Sequence, residues 1–292
     1  MPGRLRIATR GSLLALAQAR EVAALLGGAE LVEVASDGGP GDKSRFVRGV
    51  ERALLAGEAD VGVHSAKDLP GEETDGLRIA AVPPRRDPRD AWVGAGGLAE
   101  APPGARVGTA SLRRRAQILA ARPDLRVEEL RGNVDTRLRK LAAGGLDAIV
   151  LACAGLRRLG REGEIAAALP VERMVPAPGQ GALAVQVRAD DERAAAAAAA
   201  IDDERSRREL EAERAAVAPL GASCATPIGV HARLTGERLT VDAFLGLPDG
   251  SEWLRDRVEG AADDPVGVGA RLAERLLAAG AREVLDRAEA AA

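Results

Sequence analysis

The stretch VHSAKDLP, residues 63–70, ends an apolar run with a lysine and an aspartate side by side. A carboxylate held among positive charges stays ionised and can accept proton density from a cationic reacting group. The plain alternative is a turn in which Lys67 and Asp68 pair in solvent, and the local residues leave both readings open. GTASLRR, residues 108–114, points to anion binding. Its small residues let the backbone approach a ligand, Thr109 and Ser111 bring hydroxyls and a cap, and a helix N-terminus favours negative charge. Arg113 and Arg114 add fork-shaped donors that suit carboxylates. Against this stands a capped helix with a basic first turn. RGNVDTR, residues 131–137, sets Arg131 and Arg137 on either side of a helix start, so both could face one cleft. Of Arg157 and Arg158, one is expected to point inward. Cys224, in the small-residue loop GASCATPIG, is a candidate nucleophile or attachment point, with an inert half-buried thiol as the alternative. Cys153, inside IVLACAGL, reads as a small buried hydrophobe. A cysteine hydrolase would need His64 or His231, and His64 reads as a packing residue at a strand end.

The bulk composition narrows the classes. The chain has 292 residues, 46% apolar and 29% charged, enough for two or three globular domains. With two Phe, two Trp and no Tyr, its cores must be built from Leu, Val, Ile and Ala, and a base-stacking nucleic-acid surface is not expected. Two cysteines give neither a disulfide framework nor zinc-type spacing, and no metal is expected. No apolar run approaches a membrane span, and LLALAQAREVAALL, broken by Gln18, Arg20 and Glu21, reads as an amphipathic helix rather than a signal segment. A cytoplasmic location follows as an expectation. Residues 104–161 carry 13 Arg and Lys against 5 Asp and Glu, in a chain of net charge −3. Such an island of positive charge suits an anionic ligand, or else a solvated arginine-rich face.

Strand-like and helical runs alternate along the chain: RLRIAT, a helix opening at Ser12, LVEVAS, FVRGVERALLAGE, ADVGVHSA and LRIAAV. This βαβ rhythm predicts parallel or mixed sheets faced by helices. PPRRDPRD, residues 83–90, reads as a crossover linker, and VPAPGQG, residues 175–181, as a second hinge. Between them RVGTAS, SLRRRAQILAAR, LRVEEL, NVDTRLRKLAAG and DAIVLACAGL form another α/β unit. After the strand LAVQV and a polyalanine helix comes a long charged helix from about Asp202, then the loop APLGASCATPIG. Two strands, LTVDAFL and WLRDRVEG, and a final helix suggest a separate α+β tail. Ligands of open α/β sheets bind beyond the carboxyl ends of the strands, which is where Arg10, Ser12, Lys67, Asp68 and Thr109 to Arg114 fall. They could converge across a cleft between two domains.

Taken in order, IATRGSLLALAQA, VHSAKDLP, DPRDAWV, VGTASLRRRAQI, RPDL, LRGNVDTRLRKL, DAIVLACAGLRRLG, PAPGQGALAVQVR, AERA and SCATPIGVHA resemble the porphobilinogen deaminase (hydroxymethylbilane synthase) family of tetrapyrrole, porphyrin and heme biosynthesis. The resemblance runs from residue 7 to about 232. It implies two α/β domains like the lobes of type II periplasmic binding proteins around a cleft, plus a small C-terminal α+β domain. The boundaries expected are 1–83 with 182–200, then 87–176, then 203–292. It implies a transferase that joins four porphobilinogen molecules, with loss of ammonia, onto a dipyrromethane cofactor held by a thioether to Cys224, and releases hydroxymethylbilane with water. Asp68 becomes the catalytic carboxylate that handles pyrrole N–H protons and stabilises cationic azafulvene-like intermediates. Arg10, Ser12, Lys43, Ser65, Lys67, Thr109, Ser111, Arg113, Arg114, Arg131, Arg137 and Arg158 match positions that bind cofactor, substrate or the growing chain, and Gln180 is expected to line the same cleft. Each pyrrole carries an acetate and a propionate, which suits the basic segment. A monomer is implied, without nucleic-acid or membrane partners.

Two departures from the family pattern stand out. DGGPGD before Lys43 is short and glycine-rich where the family often has a longer lid, and Ser44, Arg45 and Phe46 replace its usual Gly, hydrophobe, Phe. APLGAS before Cys224 also differs. The rival classes are a non-catalytic anion receptor, which needs neither Cys224 nor Asp68 as placed, and a cysteine-nucleophile hydrolase.

Overall fold

The computed structural model describes residues 4–35, 45–221 and 226–290. The chain clusters into two compact units, one of Met1–Arg86 with Gly181–Arg207, the other of Asp87–Gln180 with Arg208–Ala292. The first unit opens with β1 (Arg6–Arg10), α1 (Leu13–Leu25), β2 (Glu30–Val34), α2 (Arg45–Leu55), β3 (Val61–Ser65) and β4 (Leu77–Ala81). Ser12 starts α1 by accepting the Ala15 N–H at 3.3 Å. The helix then buries Ala15, Gln18, Ala19 and Val22, the three- and four-residue spacing of one face. β1 runs parallel to β2 and β3. Val61 to His64 of β3 are all buried because strands flank it on both sides. Gly62 lets α2 close on that strand: a Cβ there would lie 2.8 Å from Val50 Cγ1 and 3.0 Å from Leu54 Cδ1.

The second unit begins with β5 (Asp90–Gly94), β6 (Arg106–Gly108), α3 (Leu112–Ala121), β7 (Arg126–Glu128), α4 (Val134–Ala142), β8 (Ala148–Ala152), α5 (Cys153–Arg158) and β9 (Ala167–Leu169). Its sheet has the order β7-β6-β8-β5-β9, with β6 parallel to both neighbours and β5 antiparallel to both. The chain then returns through β10 (Leu183–Arg188), antiparallel to β3 and β4, which completes the first unit's sheet as β2-β1-β3-β10-β4. The polyalanine run forms α6 (Glu192–Ala199), as its propensity predicts. The last elements are α7 (Glu204–Val217), β11 (Ile228–Thr235), β12 (Arg238–Gly246), β13 (Trp253–Ala261), α8 (Pro265–Ala278) and α9 (Ala281–Ala290). These strands form an antiparallel β11-β12-β13 sheet whose apolar face packs with Ala212, Ala216, Leu272 and Val284 of the helices.

The fold is thus mixed α/β with a small antiparallel-sheet tail, as the alternation of runs predicts. The cores are aliphatic, with Trp92 the one large aromatic in the core around β5, β6 and β8. Three local readings change. The linker PPRRDPRD stops short of Asp90, which opens β5. The sequence predicts the loop APLGASCATPIG through Gly229, but Ile228 and Gly229 already belong to β11, a strand hidden behind turn residues. Cys153 opens α5 rather than sitting within β8.

Candidate active site

Within the first unit, the predicted residues lie at the carboxyl ends of β1 and β3. Arg10 is the last residue of β1 and Ser12 the cap of α1. Ser65 ends β3, and its Oγ receives the Gln18 Nε2–H at 2.7 Å. Gln18 is 4% exposed on the buried face of α1. The sequence reading counted it only as an interruption of an apolar run, whereas a polar residue at core-face spacing was the available signal. Beyond Ser65 a 3₁₀ turn, Ala66–Asp68, is fastened by the Ala66 N–H on Ala182 O at 3.1 Å and the Leu69 N–H on Ala66 O at 3.2 Å. Lys67 and Asp68 are both half-buried in this turn. No hydrogen bond or ion pair to the Asp68 carboxylate is found among the described residues, with Lys67 or with any other. The backbone therefore fixes where Asp68 stands while its oxygens stay uncommitted. The simple Lys67–Asp68 surface pair is not what forms.

His64 lies beneath this turn, 3% exposed, with Nε2 3.0 Å from Gln186 Oε1. Gln186 in turn donates Nε2–H to Glu51 Oε1 at 3.1 Å. Burial, reinforced by the charge of Arg10 and opposed by the Gln186 hydrogen bond, pushes the His64 pKa down to about 4. The imidazole is neutral near pH 7 and serves packing, as its strand-end position suggested.

In the second unit the site grows around a carboxylate that the sequence reading passed over. Asp90 is fully buried at the start of β5. Arg113 Nη1 donates to its Oδ2 at 2.7 Å and Nη2 to its Oδ1 at 3.2 Å. Arg114 Nε donates to Oδ1 at 2.9 Å. Gln180 Nε2 adds a fourth bond at 3.0 Å and reaches Pro88 O at 2.6 Å. Burial works against this charge, yet the two guanidiniums outweigh it and hold the Asp90 carboxyl well below the usual range. Two further bonds go to backbone, Arg113 Nη1 to Val175 O at 2.6 Å and Arg114 Nη1 to Val150 O at 2.9 Å, while the buried Arg113 Nε has no hydrogen-bond partner among the described residues. Arg113, Arg114 and Gln180 are 3%, 5% and 1% exposed, so they act here as a buried frame with little surface of their own. The signal for Asp90 was present in DPRDAWV, where an aspartate directly precedes an apolar strand.

Three further predicted residues, Thr109, Ser111 and Arg137, belong to the same unit. Thr109 Oγ1 accepts the Ser111 N–H at 3.2 Å, and Ser111 caps α3 at Arg114 N, 3.5 Å away. Arg137, in α4, donates Nε–H to Gly132 O at 2.8 Å. Gly132 takes φ +125°, and a Cβ there would stand 2.8 Å from Thr136 Cγ2, so this turn requires glycine. Burial first, and then the charge of Arg114, push the Arg137 pKa down to about 10. No hydrogen bond of its two Nη groups is found among the described residues. Two guanidiniums thus share one buried carboxylate while Arg137 has none, and an acid group bound at Arg137 would offset both its burial and its repulsion from Arg114. A ligand bearing carboxylates fits this donor set.

Arg131 stands apart, exposed and paired with Glu129 at 2.6 Å. Arg158 is half-buried in the last turn of α5, while Arg157 is exposed and pairs with Asp87 at 3.1 Å. Cys153 is fully buried, and burial pushes its thiol up to about 11, which removes it as a nucleophile. Lys43, Cys224 and the DGGPGD segment lie outside the described residues. No group of His, Cys, Asp and Glu among the described residues could hold a metal ion, and no helix among them is long and apolar enough to cross a membrane.

The first unit thus sets the Asp68 carboxylate, without a partner among the described residues, beyond β3, and the second sets a cluster of guanidiniums that can take acid groups beyond β6. Residues 5–196 match the family model described as porphobilinogen deaminase, dipyromethane cofactor binding domain, and residues 208–278 match the C-terminal domain of the same family. A porphobilinogen deaminase of Syntrophus aciditrophicus is 42% identical over 98% of this chain and 99% of its own. One of Rubrobacter xylanophilus is 47% identical, over 98% and 97% respectively. The chain belongs to the porphobilinogen deaminase family. Among solved structures, the methionine binding protein MetQ shows a looser likeness, 12% identical with a TM-score of 0.44, over 75% of this chain and 96% of that one.

Proposed function

We propose that this chain condenses four porphobilinogen molecules, one at a time and with loss of ammonia, onto a dipyrromethane primer bonded to Cys224, and then releases hydroxymethylbilane by hydrolysis. The observation that carries the reading is the Asp68 carboxylate, fixed by a backbone turn and left without a partner among the described residues. A group so placed meets positive charge developing on a pyrrole as ammonia departs, and accepts the pyrrole proton afterwards. When bound, the dipyrromethane supplies the nucleophilic carbon to which each unit is added. Its acetate and propionate groups are held by Arg137, whose Nη donors are available, and by Lys67, Arg10 and Arg158. Ser12, Ser65, Thr109 and Ser111 orient through hydroxyls and helix ends. Lys43 and Arg131 contact the chain as it grows. Asp90 and Gln180 act through Arg113 and Arg114, keeping both forks in register. The three-domain division at 1–83 with 182–200, 87–176 and 203–292, a monomeric state and a cytoplasmic location complete the proposal.

The test is the intact mass of the denatured protein beside a Cys224→Ala variant, with and without porphobilinogen. An excess equal to two linked pyrroles in the wild type, absent from the variant, is the expected result. A bare mass that stays bare after incubation with porphobilinogen would sink the reading.

A further inference from the structure

Glu213 lies in the middle of α7 with its side chain fully buried, and the reaction as proposed gives it no role. Its two oxygens serve different parts of the second unit. Oε2 accepts the Gly179 N–H at 2.6 Å. Oε1 accepts the Ala232 N–H at 2.8 Å and lies 3.2 Å from His231 Nδ1. One carboxylate thus ties a helix to the 175–181 hinge on one side and to β11 on the other.

The two ends of this tie lead to the proposed chemistry. Gly179, in the left-handed region at φ +72°, directly precedes Gln180. Gln180 bonds Asp90, the buried acceptor on which Arg113 and Arg114 close. The same hinge is gripped from the α3 side, where Gln117 bonds Val175 through both its amide groups at 2.7 and 3.0 Å. β11 is the strand that follows the Cys224 loop, and its Val230 N–H donates to Pro176 O at 2.9 Å. Gly229 admits that contact closely, since a Cβ there would lie 3.0 Å from Pro176 O. Beside these direct bonds, the Glu213 side chain bonds both β11 and the residue preceding Gln180.

We propose that Glu213 is a positioning residue that registers the strand leaving the cofactor-attachment loop against the segment carrying Gln180, and so sets the placement of the buried Asp90–Arg113–Arg114 frame. The Arg114 charge of that frame acts on Arg137. A carboxylate suits the task because each of its oxygens can accept one of two backbone N–H groups that converge from different segments. An amide cannot: its NH₂ would face one of those N–H groups donor to donor. The proposal rests on the assignment of Cys224 and the arginines above.

The experiment compares full-length wild type, Glu213→Gln, Gln180→Ala and the double variant. Each is loaded with porphobilinogen, quantified for attached cofactor by intact mass, and assayed for kcat per holo molecule and KM. Glu213→Gln is expected to lower kcat per holo molecule at least tenfold with KM changed less than twofold. In the Gln180→Ala background the same substitution should cost much less, because both changes break one relay. A merely structural glutamate would lower the melting temperature and the holo fraction while leaving kcat per holo molecule unchanged, and that result overturns the proposal. Should Glu213→Gln yield no folded protein, Glu213→Asp, too short to span both N–H groups, is read by the same criteria. Wild type that makes no hydroxymethylbilane would instead remove the underlying functional reading, so the two failures are distinct.

Discussion

Asp68 and Arg137 show how little of a side chain's role follows from its own type. Both are charged residues in turns or helices rich in charge, yet neither charge is spent on a protein partner: Asp68 meets none among the described residues, and Arg137 commits only its Nε to Gly132 O. Asp68→Asn should keep the fold and the attached cofactor, since no bond of the turn uses the carboxylate. Turnover should fall roughly 100- to 1,000-fold, the usual loss when one fixed electrostatic group is removed from a reacting centre. Steady-state bilane formation checks this, and wild-type turnover would remove Asp68 from the chemistry. Arg137→Ala relieves a repulsion with Arg114, so its folded state should be no less stable than wild type. Chain growth, followed as the mass of successive adducts, should slow or stall, and unchanged elongation would refute the assigned contact.

At the level of elements, strand ends and helix starts do the placing. α1 and α3 are each opened by a serine that bonds a backbone N–H of its first turn, which holds their first turns beside β1 and β6. The arginines of α3 are aimed by β5, whose first residue is Asp90. Asp90→Asn removes the only carboxylate, among the described residues, bonded by both guanidiniums and strands them in a buried setting. A loss of about 3–5 kcal/mol of unfolding free energy is expected, typical of breaking a buried ion pair from one side. Denaturant titration measures it, and a loss below 1 kcal/mol would show that Arg113 and Arg114 find other acceptors.

For the whole molecule, the buried His64 predicts a pH dependence of stability. Its folded pKa of about 4 lies below the ordinary 6.5, so between these values the unfolded chain binds more protons than the folded one. The His64 contribution is complete above pH 6.5 and is lost as pH falls towards 4, on the order of 3 kcal/mol in all. Unfolding free energies at pH 7 and pH 4.5 should therefore fall further in wild type than in His64→Gln, by about 2 kcal/mol. Equal falls in both proteins would show that His64 is solvated in the folded state.

The sequence by itself determined the α/β alternation, the aliphatic cores, the basic segment between Gly104 and Arg161, and the family, through motifs spread in order over most of the chain. Those are properties of periodicity, composition and the order of short motifs, each of which is legible along the chain without knowing what packs against what. Long-range pairing decided the rest. That Arg113 and Arg114 close on Asp90, that Gln180 joins them and that Glu213 reaches Gly179 are facts about neighbours distant along the chain. Arg113 and Asp90 are 23 residues apart, Gln180 and Asp90 are 90, and Glu213 and Gly179 are 34. A charged residue reads the same in a sequence whether it faces water, a partner or an open site. Only when the strands and helices have packed does desolvation separate these fates, because burial forces each charge either to find its counterion or to stand ready for one.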